Sequence, residues 1–227
     1  MKVMKFGGAS VGSASNVLSV KNVIDSEKGP AVIVISAFKG ITDKLLTTSE
    51  LAAAGNHSYE KEFKEIVDQH ITIINELNFD GHTRAKVTSD VYVLLEELSN
   101  IFKGVFLIND LSLKTSDKIV SYGERLSTTV MGYLLSDYEL LDSTKLIKTN
   151  SSFNKHTPDI ELSYKLIQDA FNNSEKRILV PGFISSCKET NEITNLGRGG
   201  SDYTAAIFAS ALDAEILELW TNVDGFM

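Results

Sequence analysis

A chain of 227 residues, 43% hydrophobic and 23% charged, can bury a full core and has the composition of an ordinary globular protein. Its formal net charge of -8 offers no basic field to nucleic acid or to an anionic membrane surface, so neither is an expected partner. Cys187 is the only cysteine, which excludes an internal disulfide and suits a reducing compartment; no apolar run approaches membrane-spanning length, and the cytoplasm is the expected location.

Residues 2–6 predict a short strand that Gly7-Gly8 breaks, and residues 10–15 lead into a helix over 16–26 with Val17, Val20, Val23 and Ile24 on one face. Gly29-Pro30 stops that helix. Residues 31–36 are apolar almost throughout, the pattern of a parallel strand buried on both faces. The turn Ala37-Phe-Lys-Gly40 then opens a helix over 42–54, with Thr42 placed to cap it. Strand, glycine turn and helix, twice over, predict an open α/β sheet whose ligands bind beyond the carboxyl ends of the strands.

Long helical patterns over 59–77 and 84–102 form a mainly helical insertion, about 56–103. A helix over 119–135 carries Gly123-Glu124-Arg125 near its start, and a strand over 138–141 follows. Residues 150–158 are polar and read as a surface loop or lid; 159–171 predict a helix, and 177–181 a buried strand ending at Gly182-Phe183. A hairpin or flap over 185–192 precedes Asn195-Leu-Gly-Arg-Gly-Gly-Ser-Asp202. An Ala-rich helix to about 212, a strand over 214–220 and the polar turn Thr221-Asn-Val-Asp-Gly225 complete the chain. A strand that delivers such a turn normally feeds another element, so the sequence reads as a fragment.

Two glycine turns carry the chemistry. In the later one, three glycines bring backbone close to a bound group, Ser201 or Asp202 caps the next helix, and Arg198 adds a bidentate donor for a carboxylate or phosphate. In the earlier one, Lys5 precedes Gly7, Gly8 and Ser10, so a flexible point charge stands beside backbone donors. By itself that arrangement equally fits an ordinary strand-to-helix turn with a solvated lysine. Neither a Walker loop nor the dinucleotide fingerprint is present. Ser36 ends a buried strand, Glu124 is either an exposed carboxylate or the partner of a substrate ammonium, and Phe183 is core or pocket wall. His57, His70, His82 and His156 lack zinc-ligand spacing and read as surface histidines, so no metal site is expected from the chain's own ligands. Two cations in glycine turns, without an evident nucleophile, fit phosphoryl transfer between two bound anions.

The segments Lys5-Phe-Gly-Gly-Ala-Ser-Val11, Ser36-Ala-Phe-Lys-Gly-Ile-Thr42, Ser121-Tyr-Gly-Glu-Arg-Leu126, Pro181-Gly-Phe183, Gly197-Arg-Gly-Gly-Ser-Asp202 and Trp220-Thr-Asn-Val-Asp-Gly225 occur in the order seen in aspartate kinases. In these segments the chain resembles that branch of the amino-acid kinase superfamily along essentially its whole length. The resemblance implies a three-layer α/β/α sandwich with a mainly parallel central sheet, the carbamate kinase-like fold. It also implies transfer of the γ-phosphate of ATP, with Mg²⁺, to the side-chain carboxylate of L-aspartate, at the head of lysine, threonine and methionine synthesis.

By the family pattern Lys5 contacts the transferring phosphate, Gly7, Gly8 and Ser10 cradle phosphates, and Asp202 organises Lys5. Ser36, Thr42, Glu124, Phe183, Arg198 and Ser201 line the aspartate site, and Thr221 and Asn222 sit at the nucleotide. The chain departs from the pattern at Ala9, Asn222 and Met227, where the family commonly has Thr, Asp and Tyr. The resemblance makes residues 1–227 a catalytic domain cut within its nucleotide-binding half, weak or inactive alone. The full-length protein is then a homo-oligomer with C-terminal ACT regulatory domains. Two alternatives stay open: a superfamily kinase for glutamate, UMP or carbamate, and a non-catalytic amino-acid sensor.

Overall fold

Five parallel strands make the central sheet of the computed structural model, which describes residues 1–152, 155–171 and 177–221. In chain order the elements are β1 (Lys2–Phe6), a 3₁₀ turn (Gly8–Val11), α1 (Ala14–Ser26), β2 (Ala31–Ile35), α2 (Ile41–Ala53), α3 (Tyr59–Glu76), α4 (Gly81–Ile108), α5 (Leu113–Leu134), β3 (Glu139–Leu140), α6 (Ser143–Leu146), β4 (Lys148–Ser152), β5 (Lys155–Pro158), α7 (Ile160–Ala170), β6 (Arg177–Pro181), β7 (Ile184–Cys187), β8 (Ile193–Asn195), α8 (Gly200–Ala211) and β9 (Ile216–Trp220). The sheet order is β3-β6-β2-β1-β9, and β7 and β8 join β4 and β5 in a second, four-stranded sheet.

The apolar run of β2 is buried at every position because helices cover both faces. Side chains alternate across the sheet. Met4, Phe6, Ile33, Ile35 and Leu179 pack with α1 to α5, while Val3, Val32, Val34, Ile178 and Val180 pack with α7 and α8. This is the expected three-layer α/β/α sandwich. Beside α2, the helices α3 and α4 bury Ile66, Ile73, Val91, Leu98 and Phe102 in the first of these cores.

Several local expectations are corrected. Helix α2 starts at Ile41 behind Gly40, whose φ of 78° serves as the cap, so Thr42 lies inside the first turn. Helix α5 starts at Leu113, where the Ser112 side chain accepts the Thr115 N–H, which moves Glu124 from the helix start to its middle. Helix α8 is preceded by Gly199 at φ 73° without a side-chain cap, so Ser201 and Asp202 sit in its first turn. Residues 150–152 and 155–158 are strands rather than loop: β4 and β5 pair antiparallel, and polar side chains are no obstacle in such a pair. The flap over 185–192 is the hairpin of β7 and β8, which pair antiparallel. His57 and His82 are exposed as expected, but His70 is fully buried. Its Nδ1 lies 2.8 Å from the Ile66 carbonyl and its ring packs on Phe38, with centroids 5.3 Å apart. Burial lowers its pKa to about 4, so it is a neutral core residue at pH 7.

Candidate active site

The carboxyl ends of four strands meet at one place. Gly7 donates its N–H to the Trp220 carbonyl at 3.2 Å, Ser36 to Phe6 at 3.1 Å, and Gly182 to Ile35 at 2.8 Å. Ser10 Oγ adds a bond to the same Trp220 carbonyl at 3.3 Å. A cavity of about 750 Å³ opens here, lined among others by Lys5, Gly8, Ser36, Thr42, Glu124, Phe183, Arg198, Ser201 and Asp202. Ligand binding at this edge of an open α/β sheet follows from its topology.

The pleat of β1 turns Lys5 toward the α8 side, as it does Val3. Its ammonium, on a side chain only 13% exposed, lies 2.6 Å from Asp202 Oδ1 in the first turn of α8. One ion pair thus ties the two glycine turns together. The glycines beside it are packed against other atoms. A Cβ on Gly7 would lie 3.3 Å from Lys5 Nζ, and one on Gly8 would lie 2.9 Å from the Ala37 carbonyl oxygen. Any larger residue at Gly8 would push the first turn away from the end of β2.

Glu124 reaches the cavity from α5. Gly123 allows this, since a Cβ there would come within 2.8 Å of Ala37 Cβ. The Glu124 carboxyl is 3% exposed; Oε1 accepts the Ala37 N–H at 3.2 Å, and Oε2 is buried without a hydrogen-bond partner among the described residues. Burial pushes its pKa up to about 8, against the opposing pull of the Ala37 N–H and the Lys5 charge. A buried acid with an open oxygen on a cavity wall is suited to a cation or a donor. Ser127 Oγ lies 2.9 Å from the Ser36 carbonyl, which holds the end of β2 against α5.

The second turn is built differently. Gly197 and Gly199 have φ of 72° and 73°, a region other residues avoid. Gly200 gives a close approach instead, since a Cβ would lie 2.6 Å from Phe183 Cδ2; one on Gly182 would lie 2.7 Å from Ser201 Cβ. Phe183 itself has φ 66°, held by its N–H to Thr204 Oγ1 and by its carbonyl, which accepts the Leu196 N–H, both at 2.9 Å. Its side chain is pocket wall, one of the two readings the sequence left open. Arg198 is exposed on the turn and makes no ion pair among the described residues.

The amino acid kinase family model matches residues 1–227. The chain belongs to the amino acid kinase family. Among curated relatives, chloroplastic aspartokinase 1 of Arabidopsis thaliana is 34% identical over 99% of the chain and 40% of the plant protein. Lysine-sensitive aspartokinase 3 of Escherichia coli is 31% identical over 98% of the chain and 49% of that protein. Among solved structures, E. coli aspartokinase III in complex with aspartate and ADP superposes with a TM-score of 0.88 at 28% identity, covering 99% of this chain and 50% of that one. The chain therefore spans half or less of the length of these relatives.

Nine of the residues singled out from the sequence share the cavity. Gly7 and Ser10 lie beside it at the β1–β9 edge through their bonds to Trp220, and exposed Thr221 follows directly on β9. Asn222, Asp224, Gly225 and Met227 fall outside the described residues. Glu124 is not the exposed carboxylate that one reading allowed.

Lys39, Asp117 and Asn195 also line the cavity but were not singled out. Lys39 stands in a glycine turn, a signal like that of Lys5. Asp117 lies two helical turns before Glu124 on the same face, a spacing hidden when the helix was started at 119 instead of 113. Asn195 carried no signal beyond opening the second turn. His156 is not a surface histidine: its side chain is 20% exposed, and Nε2 lies 2.7 Å from Asp117 Oδ2.

Proposed function

We propose that this chain supplies the aspartate-binding and phosphate-facing part of an aspartate kinase. The observation that carries the reading is the Lys5–Asp202 pair at 2.6 Å, which joins two glycine turns over a cavity that also holds Glu124 and Arg198. The likeness to aspartokinases supports it from outside the site.

In this reading Arg198 grips the α-carboxylate of L-aspartate with a two-pronged donor, and Glu124 Oε2 takes the ammonium. Ser36, Thr42, Ser201 and the Phe183 ring complete that subsite. The nucleophile is the substrate's own side-chain carboxylate, ionised at neutral pH because its ordinary pKa is about 3.9, so no general base is required. One of its oxygens bonds to the γ-phosphorus as the bond to the departing ADP oxygen breaks. The obstacle is the approach of an anion to a polyanion. Lys5, held in place by Asp202, neutralises charge on the transferring group, and Gly7, Gly8 and Ser10 let the first turn close on the phosphates. Thr221, directly after β9, faces the nucleotide.

Mg²⁺ would supply further charge neutralisation at the transferring phosphate. Such an ion takes most of its ligands from phosphates and water and needs only one or two carboxylates. Half-exposed Asp202 at the phosphate-facing end fits that demand.

The relatives are longer, so we place the rest of the nucleotide-binding half and the regulatory ACT domains outside residues 1–227, in a homo-oligomeric protein of the cytoplasm. Residues 56–103 are then a helical insertion into the catalytic domain. Among the described residues no helix is long and apolar enough to cross a membrane.

The test is an acceptor panel with the full-length protein and MgATP, offering L-aspartate, L-glutamate, UMP and carbamate, with acceptor-dependent ADP formation followed for all four and the aspartyl phosphate trapped by hydroxylamine. Aspartate should be the preferred acceptor. Preference for any of the other three sinks the reading, and so does aspartate binding without phosphotransfer, which would mark a sensor.

A further inference from the structure

Phosphotransfer as described leaves a buried group at the same cavity without a task. Asp117 is 4% exposed, and both of its oxygens are engaged. Oδ2 accepts from His156 Nε2 at 2.7 Å, and Oδ1 accepts from Asn195 Nδ2 at 2.5 Å. Asn195 Oδ1 in turn accepts the Gly197 N–H at 2.9 Å, at the start of the turn that carries Arg198. The three side chains come from α5, from the β4–β5 hairpin and from the end of β8, and their bonds run in sequence to one backbone amide.

The polarity of this chain of bonds is fixed. An ionised carboxylate only accepts, so Asp117 forces the NH₂ of Asn195 toward α5 and thereby turns its carbonyl oxygen to Gly197. His156 Nε2 donates to the same carboxylate, and its Nδ1 is buried without a partner among the described residues. Burial raises the Asp117 carboxyl above the usual range, and the bond and charge of His156 pull it back toward the ionised form.

An ordinary core pin would end on packed side chains. This one ends on the N–H of a glycine in a left-handed conformation, one residue before an exposed arginine that has no ion-pair partner among the described residues. The place of Arg198 therefore depends on its backbone. We infer that Asp117, Asn195 and His156 are positioning residues, a hydrogen-bonded relay that sets the turn of Arg198 and with it the affinity for an acidic substrate. The inference rests on the reading of Arg198 as the carboxylate clamp.

The relay can be broken and rebuilt by exchanging its polarity in the full-length protein. Asn195→Asp keeps size and keeps an acceptor for Gly197, but sets a carboxylate against Asp117. Adding Asp117→Asn supplies an NH₂ toward residue 195 and an oxygen toward His156, so every bond is restored, with donor and acceptor exchanged only between residues 117 and 195. Asn195→Asp is expected to raise KM for aspartate roughly tenfold while kcat stays within about twofold, and to speed hydrogen exchange over residues 197–199; the double variant should return both toward the parent. An unchanged KM in the single variant, or a double variant no better than the single, overturns the inference. If Asn195→Asp does not fold, Asn195→Ala removes both bonds without adding charge and carries the same expectation. Failure of the parent to phosphorylate aspartate would count against the proposed function alone. Exchange at residues 197–199 still decides the relay then, and unchanged exchange in the variant overturns it.

Discussion

The two glycine turns use the same residue for opposite purposes. In the first, Gly7 has an extended φ of -74° that any residue can adopt, and Gly8 is glycine for want of space beside the Ala37 carbonyl. In the second, Gly197 and Gly199 need their left-handed φ, and nothing lies within 4 Å of where their Cβ atoms would be. The cations differ in the same way. Lys5 is mostly buried and paired, so its charge is fixed before any substrate arrives; Arg198 is exposed and without an ion pair among the described residues. In the proposed function, a site prepared for phosphate would face a clamp that acts when a carboxylate reaches it.

Removing the buried cation should have the largest effect. Lys5→Ala in the full-length protein is expected to lower kcat by about a thousandfold or more, with an unchanged circular dichroism spectrum. Turnover near the parental value would end the case for a prepared phosphate site.

Removing the exposed cation should act elsewhere. Arg198→Ala is expected to raise KM for aspartate by about 10- to 100-fold and to change KM for ATP little, because a charge-assisted bidentate contact to one substrate is lost. Equal effects on both KM values would show that the turns do not divide the substrates.

Backbone substitutions sharpen the same contrast. Gly8→Ala must displace the Ala37 carbonyl and should cost about 1–3 kcal/mol of stability, with loss of turnover. Gly197→Ala meets open space and should cost only about 1 kcal/mol, from its left-handed backbone. Thermal or urea unfolding of both variants gives the comparison, and a larger cost at Gly197 would reverse it.

The smallest effect concerns a proton. With a pKa of about 8 in the folded chain against an ordinary value of 4.5, Glu124 holds a proton between those pH values that the unfolded chain has lost. Its contribution to stability is full below the lower value and is lost as pH rises through the upper one. A substrate ammonium at Oε2 favours the ionised form, so aspartate binding at pH 7 should release up to about one proton, and binding well above pH 8 almost none. Titration calorimetry in buffers of different ionisation enthalpy counts it, and Glu124→Gln should abolish it. No buffer dependence at pH 7 would show that Glu124 does not meet the ammonium.

The central sheet was legible because its signals are local: the apolar run of β2, Gly7-Gly8 after β1, and Pro181-Gly182 after β6. The cations in the glycine turns were legible for the same reason. What stayed hidden depends on tertiary contacts. A histidine in a polar helix gives no sign that it will be buried against Phe38. The polar pattern of residues 150–158 suits a loop as well as a hairpin. Placing the α5 start at 119 concealed that Asp117 and Glu124 share one face. Asn195 acquires its role only from a carboxylate 78 positions earlier in the chain.

The division of labour between the turns is tested most directly by equilibrium binding of L-aspartate to the full-length parent, Lys5→Ala and Arg198→Ala, without nucleotide. The account predicts that Lys5→Ala binds aspartate as the parent does, while Arg198→Ala loses at least about tenfold in affinity. Loss of aspartate binding in Lys5→Ala with retention in Arg198→Ala would contradict it.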